Sequence, residues 1–264
     1  MSLQTHLREL GLPAVANELN DILALATKKR WSHTQLLEHL AQLELKEKAH
    51  RSLERRLSRS KIGQFRPMDD FDWSWPKKID RDLVESCLQL DFLEEPRNVV
   101  LVAPHGLGKT MIAKNIAHQG IVSGRTVSFV SASHLMLDLG SRDSARTLDL
   151  RLKYYAKQGL LVIDEVGYLG YDNRSADLLF QIINLRYEKK SVVLTTNLAF
   201  SDWPTIFPNA TCATALIDRV VHHADIIAIE GESYRRREAQ ENAKTRKKAR
   251  SSAKKSGPKK RGSS

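Results

Sequence analysis

The sequence predicts an α/β chain in which helices flank a parallel sheet, with a small all-helical N-terminal domain before it and a disordered basic tail after it. Three observations predict this. From residue 98 onward, short β-branched runs alternate with helical patterns. Before residue 66, leucines recur at mixed three and four spacing. After Tyr234 both patterns stop, and Lys, Arg, Ser, Ala, Gly and Pro dominate. The implied organisation is a helical domain over 1–66, an α/β domain over 67–234 and a tail over 235–264.

In the N-terminal part, Leu10, Leu12, Val15, Leu19, Ile22, Leu23 and Leu25 form one amphipathic series, and Leu36, Leu37, Leu40, Leu43 and Leu45 form another. Trp31-Ser32-His33-Thr34 separates them, with Ser32 or Thr34 as the N-cap of the second helix. Lys46, Lys48, Arg51, Arg55, Arg56 and Arg59 would then be displayed along a helix as positive charge. Residues 63–78, GQFRPMDDFDWSWPKK, mix Gly, Pro and aromatics with neither period and read as a linker packed on the next domain. Beyond it, Asn98 to Ala103, Thr126 to Ser131, Leu160 to Asp164, Ser191 to Thr196 and Asp225 to Glu230 read as strands with helices between them, the rhythm of a parallel sheet covered on both faces.

Bulk properties narrow the function classes. At 264 residues with 41% hydrophobic content, the chain can bury one substantial core and a small accessory one. Its two cysteines, Cys87 and Cys212, stand far apart without partners at metal-ligand spacing, which implies neither a disulfide framework nor a zinc site. No signal-like or membrane-spanning run is visible, so a soluble, cytoplasmic protein without membrane partners is expected. The net charge of +11 is unevenly placed. Residues 235–264 hold 13 Lys+Arg against 2 Asp+Glu, residues 27–66 hold 11 against 4, and residues 67–234 hold 17 against 22. Basic ends around an acidic middle suit a catalytic module with peripheral polyanion contacts.

The chemistry concentrates in two segments. The strand Val99-Val100-Leu101-Val102 runs into Ala103-Pro104-His105-Gly106-Leu107-Gly108-Lys109-Thr110, followed at once by an amphipathic stretch from Met111 to Ile121. Strand, glycine loop and helix in that order form a P-loop, which binds ATP and Mg²⁺. Gly106 and Gly108 let backbone N–H groups face a phosphate at the helix N-terminus, Lys109 adds a cation for the β- and γ-phosphates, and the Thr110 hydroxyl can ligate Mg²⁺. The first glycine of the usual pattern is Ala103 here, which is harmless if that residue merely ends the strand. The second segment, Leu160-Leu161-Val162-Ile163-Asp164-Glu165, is a buried strand ending in two carboxylates. Asp164 can complete a Mg²⁺ shell, and Glu165 can polarise a water for attack on the γ-phosphate. Asn197, after the strand from Ser191, could orient the same water, although Asn is also a common turn residue. Arg219, on a helix with inward apolar positions, reads by itself as pairing near Asp218 or with solvent. His222-His223 shows no metal constellation.

The run LLVIDEVGYLGYDNRSADLLFQIINLRYEKKSVVLTTNLAFSDWPTIFP, continuing through TALIDRVVHHADIIAIEGESYRRR, resembles the IstB-like helper ATPases of insertion sequences, relatives of DnaC-type helicase loaders in the AAA+ class. The basic helical region ending in Asp70-Phe71-Asp72 fits the same family, so the resemblance covers nearly the whole chain. It implies that Asn197 is similar to the sensor-1 residue and Arg219 to an arginine finger that reaches a neighbouring subunit's nucleotide. Arg235 falls in the family's closing motif, and Met111 stands where relatives often have His. The resemblance further implies an ATPase that assembles as a homo-oligomer in the ATP state on duplex DNA, largely without regard to sequence, and assists a cognate DDE-type transposase. A helicase loader and a nucleotide-gated DNA-binding scaffold with negligible turnover are the alternatives. The basic tail would add sequence-independent affinity for DNA phosphates, or serve only solubility.

Overall fold

A computed structural model describes residues 2–168 and 170–239. These divide into two compact units, one ending at Arg59 and the other beginning at Ser60. Most of the expected basic tail, residues 240–264, lies outside the described residues.

The N-terminal unit consists of α1 (Leu3–Glu9), α2 (Pro13–Lys29) and α3, which begins at His33 and runs to Ser60. The inward stripe of α2 is Val15, Ala16, Leu19, Ile22 and Ala26, all buried. Of the two candidate caps for α3, Ser32 is the one used: its hydroxyl accepts from the Gln35 amide at 3.2 Å, and the Gln35 side chain accepts from the Ser32 amide at 2.8 Å. Thr34 lies inside the helix. The N-terminus of α2 has no side-chain cap of its own. The carboxylate of Glu44, buried on α3, takes that place and accepts from the Ala14 and Val15 amides at 2.9 and 3.3 Å. Along α3, Lys46, Lys48, Arg51, Arg55 and Arg59 are exposed, the display of charge that the sequence implied.

The second unit is built on five parallel strands, β1 (Asn98–Val102), β2 (Val127–Ser131), β3 (Leu160–Val166), β4 (Val192–Thr196) and β5 (Ala224–Ala228), in the order β2-β3-β4-β1-β5. Helices α4 (Arg81–Gln89) and α5 (Lys109–Val122) pack together, with α5 against β1 to β4. A second group, α6 (Ala132–Gly140), α7 (Ala145–Ala156), α8 (Asn173–Arg186) and α9 (Ala210–Val221), covers the other face. Cover on both faces explains why the strands are near-continuous apolar runs.

Three expectations are corrected at element ends. β3 does not stop at Asp164 but continues to Val166, because Val166 is itself fully buried and re-pairs with Thr196 after a register shift. β5 ends at Ala228, and Glu230 instead forms an isolated antiparallel bridge with Lys78 of the linker. Residues 234–239 are helical rather than part of a structureless tail. Their order has a physical cause: Arg237 stacks over the Trp75 ring at 4.6 Å, Trp75 Nε1 donates to the Glu232 carbonyl at 2.8 Å, and Glu238 pairs with Arg66 at 3.5 Å. The linker thus packs on the α/β unit along its length, starting with buried Ile62.

A buried cation secures the sheet from the edge opposite the P-loop. Arg186, 1% exposed, donates to the carbonyls of Tyr155, Ala156 and Gln158 at the end of α7 and to that of Ser191 before β4. Burial lowers its pKa to about 10, and carbonyl dipoles at a helix C-terminus stabilise the charge that remains. Replacement of Arg186 by Met leaves four carbonyls facing an apolar side chain. It is expected to destabilise the fold by roughly 3 kcal/mol or more, as unpaired buried acceptors cost about 1–3 kcal/mol each before relaxation, seen as a lowered urea midpoint.

Candidate functional site

The C-terminal edge of the sheet brings together the residues singled out in the sequence, Arg219 excepted. Ala103 is buried, and its amide donates to the Thr196 carbonyl at 3.1 Å. It does not adopt positive φ, so the substitution for glycine costs no backbone strain. Gly106 and Gly108 do need their freedom, at φ +81° and +89°. They are also crowded: a Cβ on Gly108 would lie 2.6 Å from the Phe71 ring, and one on Gly106 would collide with the Ser233 side chain.

Around this loop lies a cavity of about 370 Å³. His105, Gly106, Leu107, Gly108, Lys109 and Thr110 line it from the P-loop, Glu165 from β3 and Asn197 from just beyond β4. Pro104 stands at the loop's start, where its carbonyl and that of Ala103 accept from Lys109 Nζ at 2.9 and 2.6 Å. Lys109 is 9% exposed. Burial pushes its ammonium pKa below the ordinary range, and Arg235 adds to that, while Asp164 and Glu165 pull it back up. An ammonium with that bias gains from an added anion.

Asp164 stands behind the cavity wall, 6% exposed, with Oδ1 accepting from Thr110 Oγ1 at 3.1 Å. A hydroxyl and a carboxylate side by side at the foot of a phosphate loop are hard oxygen donors of the kind Mg²⁺ takes. Glu165 is exposed toward the cavity and has φ +61°, rare for a non-glycine residue.

Arg219 is not among the residues lining this cavity. Its guanidinium donates to Asn184 on α8 at 3.0 Å and to the Ala215 carbonyl at 3.3 Å, and lies over the Phe180 ring at 4.6 Å. The partner is thus Asn184, not the neighbourhood of Asp218. At the opposite edge of the sheet, the fold brings Glu188 next to His222 and His223, with possible ligand atoms within 4.8 Å of one another. The sequence, in which Glu188 stands far from the two histidines, showed no such grouping. All three are exposed and touch their neighbours, His222 with the Tyr187 hydroxyl and His223 with Glu188.

Several lining residues escaped the sequence reading. Phe65, Phe71 and Trp75 come from the linker, Tyr168 from the turn after β3, and Tyr234 and Glu238 from the final helical turn, beside Arg235, which the resemblance singles out. The one available signal was the density of aromatics in a segment without period. Thr195, fully buried in β4, gave none: its hydroxyl contacts both Asp164 and the Glu165 amide.

Comparison with known proteins agrees with this geometry. Residues 5–242 match the model of the family described as IstB-like ATP binding protein. The chain is 34% identical over 236 residues to a Bacillus thuringiensis subsp. berliner protein named for insertion sequence IS232 and for ATP binding, covering 88% of this chain and 93% of that one. It is 32% identical to the similarly named protein of IS21 from Pseudomonas aeruginosa, covering 89% of each. Among solved structures it is similar in fold to DnaI, at TM-score 0.52 and 19% identity over 66% of this chain and 92% of that one. It also resembles the replication initiator DnaA bound to AMPPCP and single-stranded DNA, at TM-score 0.50 and 16% identity over 62% of this chain and 52% of that one. With its five parallel strands, flanking helices and P-loop in the AAA+ arrangement, the chain belongs to the IstB-like ATP-binding protein family.

Proposed function

We propose that the chain hydrolyses ATP and, in its ATP-bound form, assembles on DNA to assist a transposase. The observation that carries the catalytic part is the convergence of the P-loop, Glu165 and Asn197 on one cavity, with Asp164 held against Thr110 at its wall. ATP would lie with its phosphates against the amides of Gly106 to Thr110, and Lys109 would exchange its carbonyl partners for phosphate oxygens. Thr110 and Asp164 would hold Mg²⁺, which when bound offsets the charge of the phosphates. Glu165 would accept the proton of a water that attacks the γ-phosphorus, while the bond to the bridging oxygen breaks and ADP leaves. Asn197 would orient that water. Arg219, absent from its own chain's cavity, would supply a guanidinium to the cavity of a neighbouring copy, so isolated monomers would turn over poorly.

The DNA part rests on charge, and the transposase part on the insertion-sequence names of relatives at 34 and 32% identity. Exposed Lys and Arg along α3, with the basic residues beyond 240, offer phosphate contacts without base readout.

Four substitutions test the catalytic reading by nucleotide binding and phosphate release. Lys109→Ala abolishes binding. Gly108→Ala does the same by strain and by collision with Phe71. Glu165→Gln keeps binding and loses turnover. Arg219→Ala keeps binding by the monomer and loses turnover, and activity returns in part when it is mixed with Glu165→Gln, because Arg219 of a Glu165→Gln copy can complete the site of an Arg219→Ala copy that keeps Glu165. Wild-type turnover in Arg219→Ala would sink the neighbouring-copy assignment.

Removal of residues 240–264, which carry 10 Lys+Arg, tests the DNA reading. Affinity for duplexes of unrelated sequence should fall almost uniformly, and the slope of log affinity against log salt should flatten by about 0.9 for each phosphate that is no longer neutralised. Unchanged affinity and slope would show that the tail takes no part in DNA binding.

A further inference from the structure

Thr195 occupies the middle of the most enclosed part of the sheet. Every residue of β4 is buried, and Thr195 is 0% exposed, a position where Val would fill the same space. A hydroxyl in such a place costs free energy unless it is fully bonded. Thr195 is bonded twice: Oγ1 lies 2.5 Å from Asp164 Oδ1 and 2.9 Å from the Glu165 amide nitrogen.

The direction of each bond is fixed by chemistry. An ionised carboxylate only accepts and a backbone amide only donates, so the single Thr195 proton goes to Asp164 and a lone pair receives the Glu165 N–H. One rotamer of one hydroxyl therefore serves two consecutive residues of the neighbouring strand. The two bonds matter because that strand is irregular just there. The β3–β4 register shifts between Ile163 and Val166, and Glu165 sits at φ +61°, a left-handed conformation that is strained for a non-glycine residue. The shift turns the Glu165 side chain outward to the cavity while Asp164 and Val166 stay buried. The same Oδ1 of Asp164 that takes the Thr195 proton also accepts from Thr110 Oγ1. Thr196, next along, spends its hydroxyl on the Leu198 amide in a local turn and touches neither acid.

We propose that Thr195 is a positioning residue for ATP hydrolysis, whose hydroxyl aims Asp164 toward Thr110 and holds the Glu165 backbone in the left-handed turn that points its carboxylate into the cavity. This rests on the reading that Asp164 and Glu165 serve ATP hydrolysis. Thr195 touches no substrate and acts only through these two.

The test compares full-length wild type, Thr195→Val, Thr195→Ser and Glu165→Gln, with DNA present, by steady-state phosphate release against ATP and against Mg²⁺, and by binding of a fluorescent ATP analogue. Thr195→Val is expected to bind the Mg²⁺-free analogue as wild type does, to lose about 10- to 100-fold in kcat and to need more Mg²⁺ for half-maximal rate, the usual cost of deleting a hydrogen bond that orients a ligand carboxylate. Thr195→Ser, which keeps the hydroxyl, is expected to recover most of the rate and the Mg²⁺ dependence. Should Val not be accommodated, Thr195→Ala against Thr195→Ser gives the same comparison. Wild-type kcat and Mg²⁺ dependence in Thr195→Val, in a preparation where Glu165→Gln is inactive, would overturn the role of Thr195 alone. Equal turnover in Glu165→Gln and wild type would instead overturn the underlying hydrolytic reading, and this inference with it.

Discussion

A parallel sheet of five strands can exist only if both of its faces are covered, since every connection must cross over a face and every strand must bury its side chains above and below. That constraint sets the whole second unit. It makes β1, β3 and β4 apolar almost throughout, and it forces polar and charged groups to the strand ends. Of those ends, the C-terminal ones of β1, β3 and β4 lie side by side, because β1 sits next to β4 and β4 next to β3. The phosphate loop, the paired carboxylates and Asn197 are therefore neighbours by topology, though about 30 to 90 residues separate them in the chain.

Two buried cations mark the opposite edges of this sheet and are stabilised differently. Arg186 donates only to carbonyl oxygens, all supplied by segment ends, and so acts as a structural tie among α7, α8 and β4. Lys109 also donates to carbonyls, but two carboxylates and an arginine compete over its charge. Among the described residues no carboxylate takes part in the first arrangement, whereas the second borders an open cavity. Similar burial thus accompanies carbonyl partners alone in one place and carbonyls beside two carboxylates in the other.

Much of this architecture was legible in the sequence. The five strands were visible because doubly buried strands are short apolar runs, and the P-loop because its glycines must fall at fixed offsets between a strand and a helix. In the sequence Asp164 and Glu165 look like a polar stop to β3, whereas a register shift lets the strand resume at Val166. The linker residues Phe71 and Trp75 looked only like packing groups, since nothing local says that they face the phosphate loop. Thr195 was silent for a deeper reason. In a β-branched run such as Val192-Val193-Leu194-Thr195-Thr196, threonine is an ordinary strand former, and only the cross-strand register reveals what its hydroxyl meets.

The two segments that close over the phosphate loop are far apart in the chain and tied to each other. Lys77 and Lys78 bond with Glu230, Trp75 with the Glu232 carbonyl, and Arg237 with both the Trp75 ring and Asp72. Phe71 of the first segment lies against Gly108, while Ser233 of the second lies against Gly106, and the Tyr234 amide donates to the Gly106 carbonyl. The two segments are thus joined to each other by backbone hydrogen bonds, an aromatic–cation contact and an ion pair as well as to the loop. The described residues end within this cover.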